Sequence, residues 1–234
     1  MPDSSDSFRP DPADGLAARG AALCGIAVEG VPYAFGTALA GLILLGFDLP
    51  ILAVLVLILA VAVGSFFRDP ERAPSSPEDA IISAADGKVT DIGEMALPDG
   101  QSEERFRRVS VFMSPLNVHV NRAPTAGAII KVKHTPGEFR AAYSDAASEH
   151  NERNLVLIAD RAGRHHAIMQ VAGYLARRIV CKVQPQDTVA RGQRVGLIMF
   201  GSRVDHFIPL DYRVAVRVGD RVRAGESVIG EPQR

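Results

Sequence analysis

The chain has 234 residues, enough for one well-buried domain with an appendage. Its 26 Lys and Arg against 27 Asp and Glu leave a net charge of −1, so no charge excess points to nucleic acid as a partner. Two cysteines, Cys24 and Cys181, lie far apart, form no metal or redox spacing, and read as two buried or unpaired thiols.

Residues 1–15 carry four Asp and one Arg among Pro and Ser, and residues 1–27 read as a disordered acidic tail. Val31 to Phe47 is free of charge. Asp48-Leu49-Pro50 breaks that run, and Ile51 to Phe67 is again uncharged. Each run is 17 residues, at the short end of the roughly 17–25 that cross a bilayer as a helix. The acidic N-terminus argues against a signal peptide. Residues 28–70 are therefore expected to form an α-helical membrane hairpin turning at Asp48–Pro50, spanning or dipping into the bilayer. A pair of buried core helices is the other reading. Arg68 and Arg72 follow the second run, where they would meet anionic headgroups.

Glu71 to Asp79 is rich in Pro and Ser and reads as a linker, with the domain boundary near residue 75 and a β-rich domain over 76–234. Short apolar runs punctuated by Gly and Pro predict strands at Ala80–Ser83, Gly87–Ile92, Arg108–Met113, Gly127–His134, Asn154–Ala159, His166–Val171, Ile179–Val183, Arg194–Phe200 and Tyr212–Val216. Gly173–Arg178 is a short helix-like stretch. The fold class is mostly β and antiparallel. An internal echo adds to this: Gln186–Gly196 and Val218–Gly230 share the form Asp-x-Val-x-x-Gly-x-x-Val, with glycines placed for tight turns. Such repeats resemble the hairpins of lipoyl- and biotinyl-type barrel-sandwich domains.

Three stretches of the β domain can carry chemistry. Asp86-Gly87 follows a strand and, alone, reads as a turn. His119 lies between two prolines in Phe112–Pro124 and, alone, reads as a surface or satisfied core histidine. Gly201-Ser202 interrupts the apolar lead from Val195 to Phe200 and, alone, reads as a turn before Phe207-Ile208. Together they supply a carboxylate, an imidazole and a hydroxyl, the ingredients of an activated serine. His165-His166 has no third ligand at the usual spacing; it reads as a surface strand start, and no metal is expected.

Five segments occur in register: Phe67–Arg72, Ala84–Lys88, Met113–Pro124, Ala147–Asn154 and Phe200–Asp205. From about Val28 to the C-terminus the chain resembles the phosphatidylserine decarboxylase family in its short form. The resemblance implies a proenzyme that cuts itself at Gly201–Ser202 into a chain 1–201 and a chain 202–234, held as a heterodimer. Ser202 would attack the preceding carbonyl and end as a pyruvoyl group, the built-in electron sink for decarboxylating phosphatidylserine to phosphatidylethanolamine. His119 would take the hydroxyl proton and later return one to carbon, with Asp86 orienting and charge-balancing the imidazole.

Some long-form members carry a second histidine three residues on; here that position is Arg122, which stays protonated and is expected to hold a phosphate or carboxylate of the lipid. Arg153, Asn154 and His206 are further expected substrate contacts. The implied location is the cell membrane, on its cytoplasmic face, and a higher oligomer is left open. Two alternatives remain at this point. One is a decarboxylase for an archaetidylserine-type lipid, and the other is a non-enzymatic, membrane-anchored barrel-sandwich module.

Overall fold

The computed structural model describes residues 22–23, 25–98, 104–138, 150–173, 178–199 and 202–233. Gly201, the acidic tail before residue 22, most of the expected Gly173–Arg178 helix, and residues 147–149 of the fourth family-like segment lie outside them.

The two uncharged runs fold as helices, α1 (Val31–Gly46) and α2 (Pro50–Phe66). Both have Pro in the first turn, where its missing N–H would have had no helical partner. Between them Asp48 adopts φ +56°, a left-handed conformation that a short polar side chain tolerates. Small residues let the helices close on each other. A Cβ at Gly41 would meet the Leu57 side chain at 2.8 Å, and Ala53 and Ala60 are buried. The large side chains point the other way: Phe35, Phe47, Ile51, Leu55, Ile58 and Val61 are each more than half exposed. Among the described residues no helix is long and apolar enough to cross a membrane.

The remainder is β structure. In chain order the strands are β1 (Ala22–Leu23), β2 (Ile26–Ala27), β3 (Ile81–Ile82), β4 (Gly87–Ala96), β5 (Arg105–Met113), β6 (Val120–Arg122), β7 (Gly127–Thr135) and β8 (Arg153–Ala159). They continue with β9 (His165–Val171), β10 (Arg178–Cys181), β11 (Thr188–Val189), β12 (Arg194–Met199), β13 (Ser202–Pro209), β14 (Tyr212–Val214), β15 (Arg221–Val222) and β16 (Val228–Pro232). An eight-stranded sheet runs β11-β7-β8-β9-β13-β5-β4-β15, and two three-stranded sheets run β10-β12-β6 and β14-β16-β3. Every pairing between these strands is antiparallel.

The internal echo is structural. Its two copies place β11 and β15 at opposite edges of the large sheet, where Val189 pairs with Gly127 and Val222 with Gly87. The matching turn glycines, Gly192 and Gly225, have φ +81° and +78°, which an L side chain rarely adopts. Each donates its N–H to the carbonyl four residues before the glycine its strand meets, Ala123 and Ser83 respectively.

The Pro/Ser segment expected to be a linker is strapped along the β domain. Arg191 donates to the carbonyls of Ser76, Pro77 and Ala80. His166, expected at the surface, is buried; its Nε2 lies 3.0 Å from Asp160 Oδ2 and its ring meets Tyr212 edge-on. The strand simply starts one residue earlier than expected, at His165, and turns His166 inward.

Candidate active site

Ser202 is the first residue of β13, the strand between β5 and β9 near the middle of the large sheet. Alternation puts Ser202, Val204, His206 and Ile208 on one face and Arg203, Asp205 and Phe207 on the other. The whole strand is buried in spite of its charges, because Arg203 and Asp205 pair with each other, Nε to Oδ1 at 2.9 Å. Sequence reasoning did not predict this strand: it reads apolar residues, and here two ions bury each other. Ser202 has no exposed surface, and its Oγ lies 3.7 Å from Met113 Sδ, the residue opposite it in register.

Under that sulfur runs a buried chain of amides. Asn154 Nδ2 donates to Gln170 Oε1 (3.0 Å), and Gln170 Nε2 donates to Asn121 Oδ1 (2.9 Å). Asn121 Nδ2 reaches the same Met113 Sδ at 3.7 Å, so Ser202 and Asn121 touch one thioether from two sides. Asn154, expected to contact substrate, is buried and anchors this chain. Arg153 is half-buried, with Nη1 on the Asn151 carbonyl. Asn121 and Gln170 were missed from sequence, although a Gln in the apolar run of β9 was a usable sign of a buried polar partner.

His119 sits in the loop joining β5 to β6, and its carbonyl accepts from the N–H of Ile198, four residues before Ser202. Its Nδ1 donates to the Asn117 carbonyl (2.9 Å), which leaves Nε2 as the lone-pair nitrogen. Among the described residues that atom is buried without a hydrogen-bond partner. The ring lies against Phe66 at the end of α2, centroids 4.3 Å apart. Burial pushes its pKa down to about 4; the Asn117 carbonyl opposes this, the nearby Arg68 charge adds to it, and the Asp86 charge opposes it weakly. The imidazole is neutral at pH 7.

Asp86 does not bond His119. Arg72 forks onto its two oxygens at 2.5 and 2.9 Å, and Ala224 donates its N–H at 2.7 Å. Arg72 is thereby withdrawn from the headgroup role expected of it, and of the two arginines only Arg68 stands at the hairpin base. His206, on the same face as Ser202 and expected to contact substrate, is buried and bonded at both ring nitrogens. It accepts the Ala84 N–H at Nε2 (2.8 Å) and donates from Nδ1 to Val109 (3.0 Å), pinning the loop that carries Asp86 to β13 and β5. Arg122, expected to hold a lipid anion, is 4% exposed and already engaged. It donates to Asp69, to the Pro70 carbonyl and to the Gly192 carbonyl. Asp69 also holds Arg194, which reaches Glu71. The segment Phe67–Arg72 thus wires the base of the hairpin to the β domain.

Burial likewise pushes His206 down to about 4, opposed by its bond to Val109. An unfolded chain protonates both imidazoles below about pH 6.5, whereas the folded chain does so only near 4. The stability linked to them is present above about 6.5 and is lost as pH falls toward 4, by roughly 3 kcal/mol per imidazole at most. Denaturant midpoints measured across that window should fall steeply for the wild type, and less steeply for His206→Gln. Equal slopes would remove His206 from the account.

A buried serine heading a central strand, and a neutral imidazole whose Nε2 has no partner among the described residues, mark a β-scaffold protein that holds groups of the kind used to attack a carbonyl. Residues 59–230 match the phosphatidylserine decarboxylase family, and the chain belongs to that family. It is 43% identical over 206 residues to the phosphatidylserine decarboxylase proenzyme of Desulfotalea psychrophila, covering 88% of this chain and 96% of that one. The protein of the same name from Solidesulfovibrio magneticus is 40% identical over 209 residues, 89% and 97% of the two chains. That from Magnetococcus marinus is 48% identical over 165 residues, 70% and 75%.

Proposed function

We propose that this chain is a membrane-attached proenzyme that cuts itself at Gly201–Ser202 and then decarboxylates phosphatidylserine to phosphatidylethanolamine and CO2. The observation that carries the reading is Ser202, fully buried at the head of β13 where the family match continues; His119, neutral and with no partner to Nε2 among the described residues, is the base assigned to it.

Ser202 Oγ attacks the carbonyl carbon of Gly201 while His119 Nε2 takes the hydroxyl proton. The Gly201–Ser202 C–N bond breaks, its nitrogen gains a proton, and an ester joins the two parts. Loss of the Ser202 Cα proton then expels the Gly201 carboxylate and leaves a carbon–carbon double bond on residue 202. Tautomerisation and addition of water release ammonia and leave a pyruvoyl group at the head of chain 202–234. The position suits such a group: it is fully buried, and Oγ lies against a thioether, a weak acceptor that does not compete for the hydroxyl. Once formed, the pyruvoyl carbonyl supplies an electron sink for the electrons left when CO2 departs. His119 Nε2 is the atom assigned to return a proton to the product carbon.

Chain 202–234 would carry β13, β14, β15 and β16, each of which pairs with a strand of chain 1–201 or with a partner that does. The two parts therefore stay joined as a heterodimer after the cut. At about 1.5 Å per residue α1 and α2 are about 24–26 Å long, shorter than the ~30 Å hydrocarbon core, so the hairpin dips into one side of the bilayer. Its exposed Phe, Leu and Ile side chains supply the apolar contact, and the cytoplasmic face is the side proposed.

Intact mass of the purified protein tests the reading. Two species splitting between residues 201 and 202 are expected, the smaller with a ketone in place of an amino-terminal serine amine. A single unmodified chain from a folded preparation would sink it.

A further inference from the structure

Outside the hairpin, two large apolar side chains are more than half exposed among the described residues: Leu116 at 84% and Val218 at 61%. Leu116 is more exposed than any large apolar side chain described in the hairpin itself. It stands at the tip of the tight turn that leads into His119. Ser114 donates from its backbone N–H and its hydroxyl to Asn117 Oδ1 (2.9 and 2.8 Å), and the Asn117 N–H donates to the Ser114 carbonyl (2.9 Å). Such a turn holds its tip in a fixed direction.

Three ties join this turn to the base of the hairpin. Arg68, just past α2, donates from Nη2 to the Leu116 carbonyl (2.5 Å) and from Nη1 to the Ser65 carbonyl (2.8 Å). Val118 and Val120 form a buried cluster with Ala27, just before α1. Phe66 lies on the ring of His119. The turn is therefore tied to the level where both helices leave the β domain, and it places an exposed leucine there. A cation, Arg68, sits between the two apolar elements, where anionic headgroups lie in a bilayer.

We infer that the Ser114–Asn117 turn is a second lipid-contacting element, with Leu116 seated at the headgroup–acyl boundary beside the hairpin. This rests on the membrane reading of the hairpin given above. Its consequence is positional: His119, three residues on, is held at the depth of the lipid headgroup, so the serine headgroup reaches the imidazole without leaving the bilayer surface.

The chain contains no tryptophan, so a single introduced one reports its own surroundings. Leu116→Trp, Ile58→Trp in the hairpin and Val218→Trp on the turn between Arg217 and Asp220, which has no tie to the hairpin among the described residues, are compared in vesicles of phosphatidylethanolamine and phosphatidylglycerol, with and without bromine on the acyl chains. Self-cleavage of each variant reports that it is folded. The expected result is a blue-shifted Leu116→Trp emission, quenched most by bromines near the top of the acyl chain, with Ile58→Trp quenched more deeply and Val218→Trp unquenched. Quenching of Ile58→Trp with Leu116→Trp behaving like Val218→Trp overturns this inference and leaves the membrane hairpin standing. Quenching of neither overturns both.

Discussion

Ser202→Ala is expected to persist as one uncleaved chain with no decarboxylase activity and near-native stability. The stability expectation follows from the site: the hydroxyl lies against the Met113 thioether, a weak acceptor, so the methyl of alanine fits where Cβ already is. The activity loss is expected to be complete because, in the proposed chemistry, the group that accepts the substrate's electrons never forms. Removing an ordinary catalytic acid or base would leave a reduced rate; removing Ser202 leaves no machinery to reduce. Intact mass and a thermal melt, measured on the same preparation, separate the two effects. A Ser202→Ala chain that still splits between residues 201 and 202 shows that the hydroxyl is not the nucleophile.

His119→Ala is expected to slow self-cleavage by about 10²–10⁴-fold, the range for a positioned general base. Truncation leaves a space against Phe66 that added imidazole fits, so millimolar imidazole should restore part of the rate. The wild-type cleavage rate should hold from neutral pH down to about 5 and be lost as pH falls through about 4, where Nε2 takes a proton and has no lone pair to offer. The measurement is the half-life of the uncut chain after cell-free synthesis, followed by gel. A His119→Ala chain that matures at the wild-type rate excludes the imidazole from processing. Asp86→Asn should act by a different route, since Asp86 holds Arg72 and the Ala224 N–H and reaches His119 only through its charge.

The sequence exposes the parts of this fold that follow from apolar patterning. The strands expected at Gly87, Arg108, Gly127 and Arg194 begin within a few residues of those positions, and both helices do the same, because uncharged or alternating runs define them locally. What escapes is set by tertiary pairing. β13 carries Arg203, Asp205 and His206, and nothing in a window of eight residues says that the first two neutralise each other and that the third is bonded at both ring nitrogens. The expected Asp86–His119 contact fails for the same reason. A nearer claim on the carboxylate comes from Arg72, in a segment that composition marks as a linker. Arg122 looks like an anion receptor until Asp69 is brought beside it. The site residues are thus legible as a set of chemical types, while their partners depend on contacts between distant segments.

The cut proposed at residue 202 falls at the head of a strand flanked on both sides, by β5 and by β9. Before it, restoring that strand after unfolding is a search within one chain. After it, the same strand belongs to a separate 33-residue molecule, and regaining the sheet requires two solutes to meet. Denaturation of the mature protein is then a dissociation, with a midpoint that rises with protein concentration, while the precursor's midpoint does not. On that proposal, maturation converts a fold that one chain can regain alone into one whose recovery depends on the concentration of its two parts.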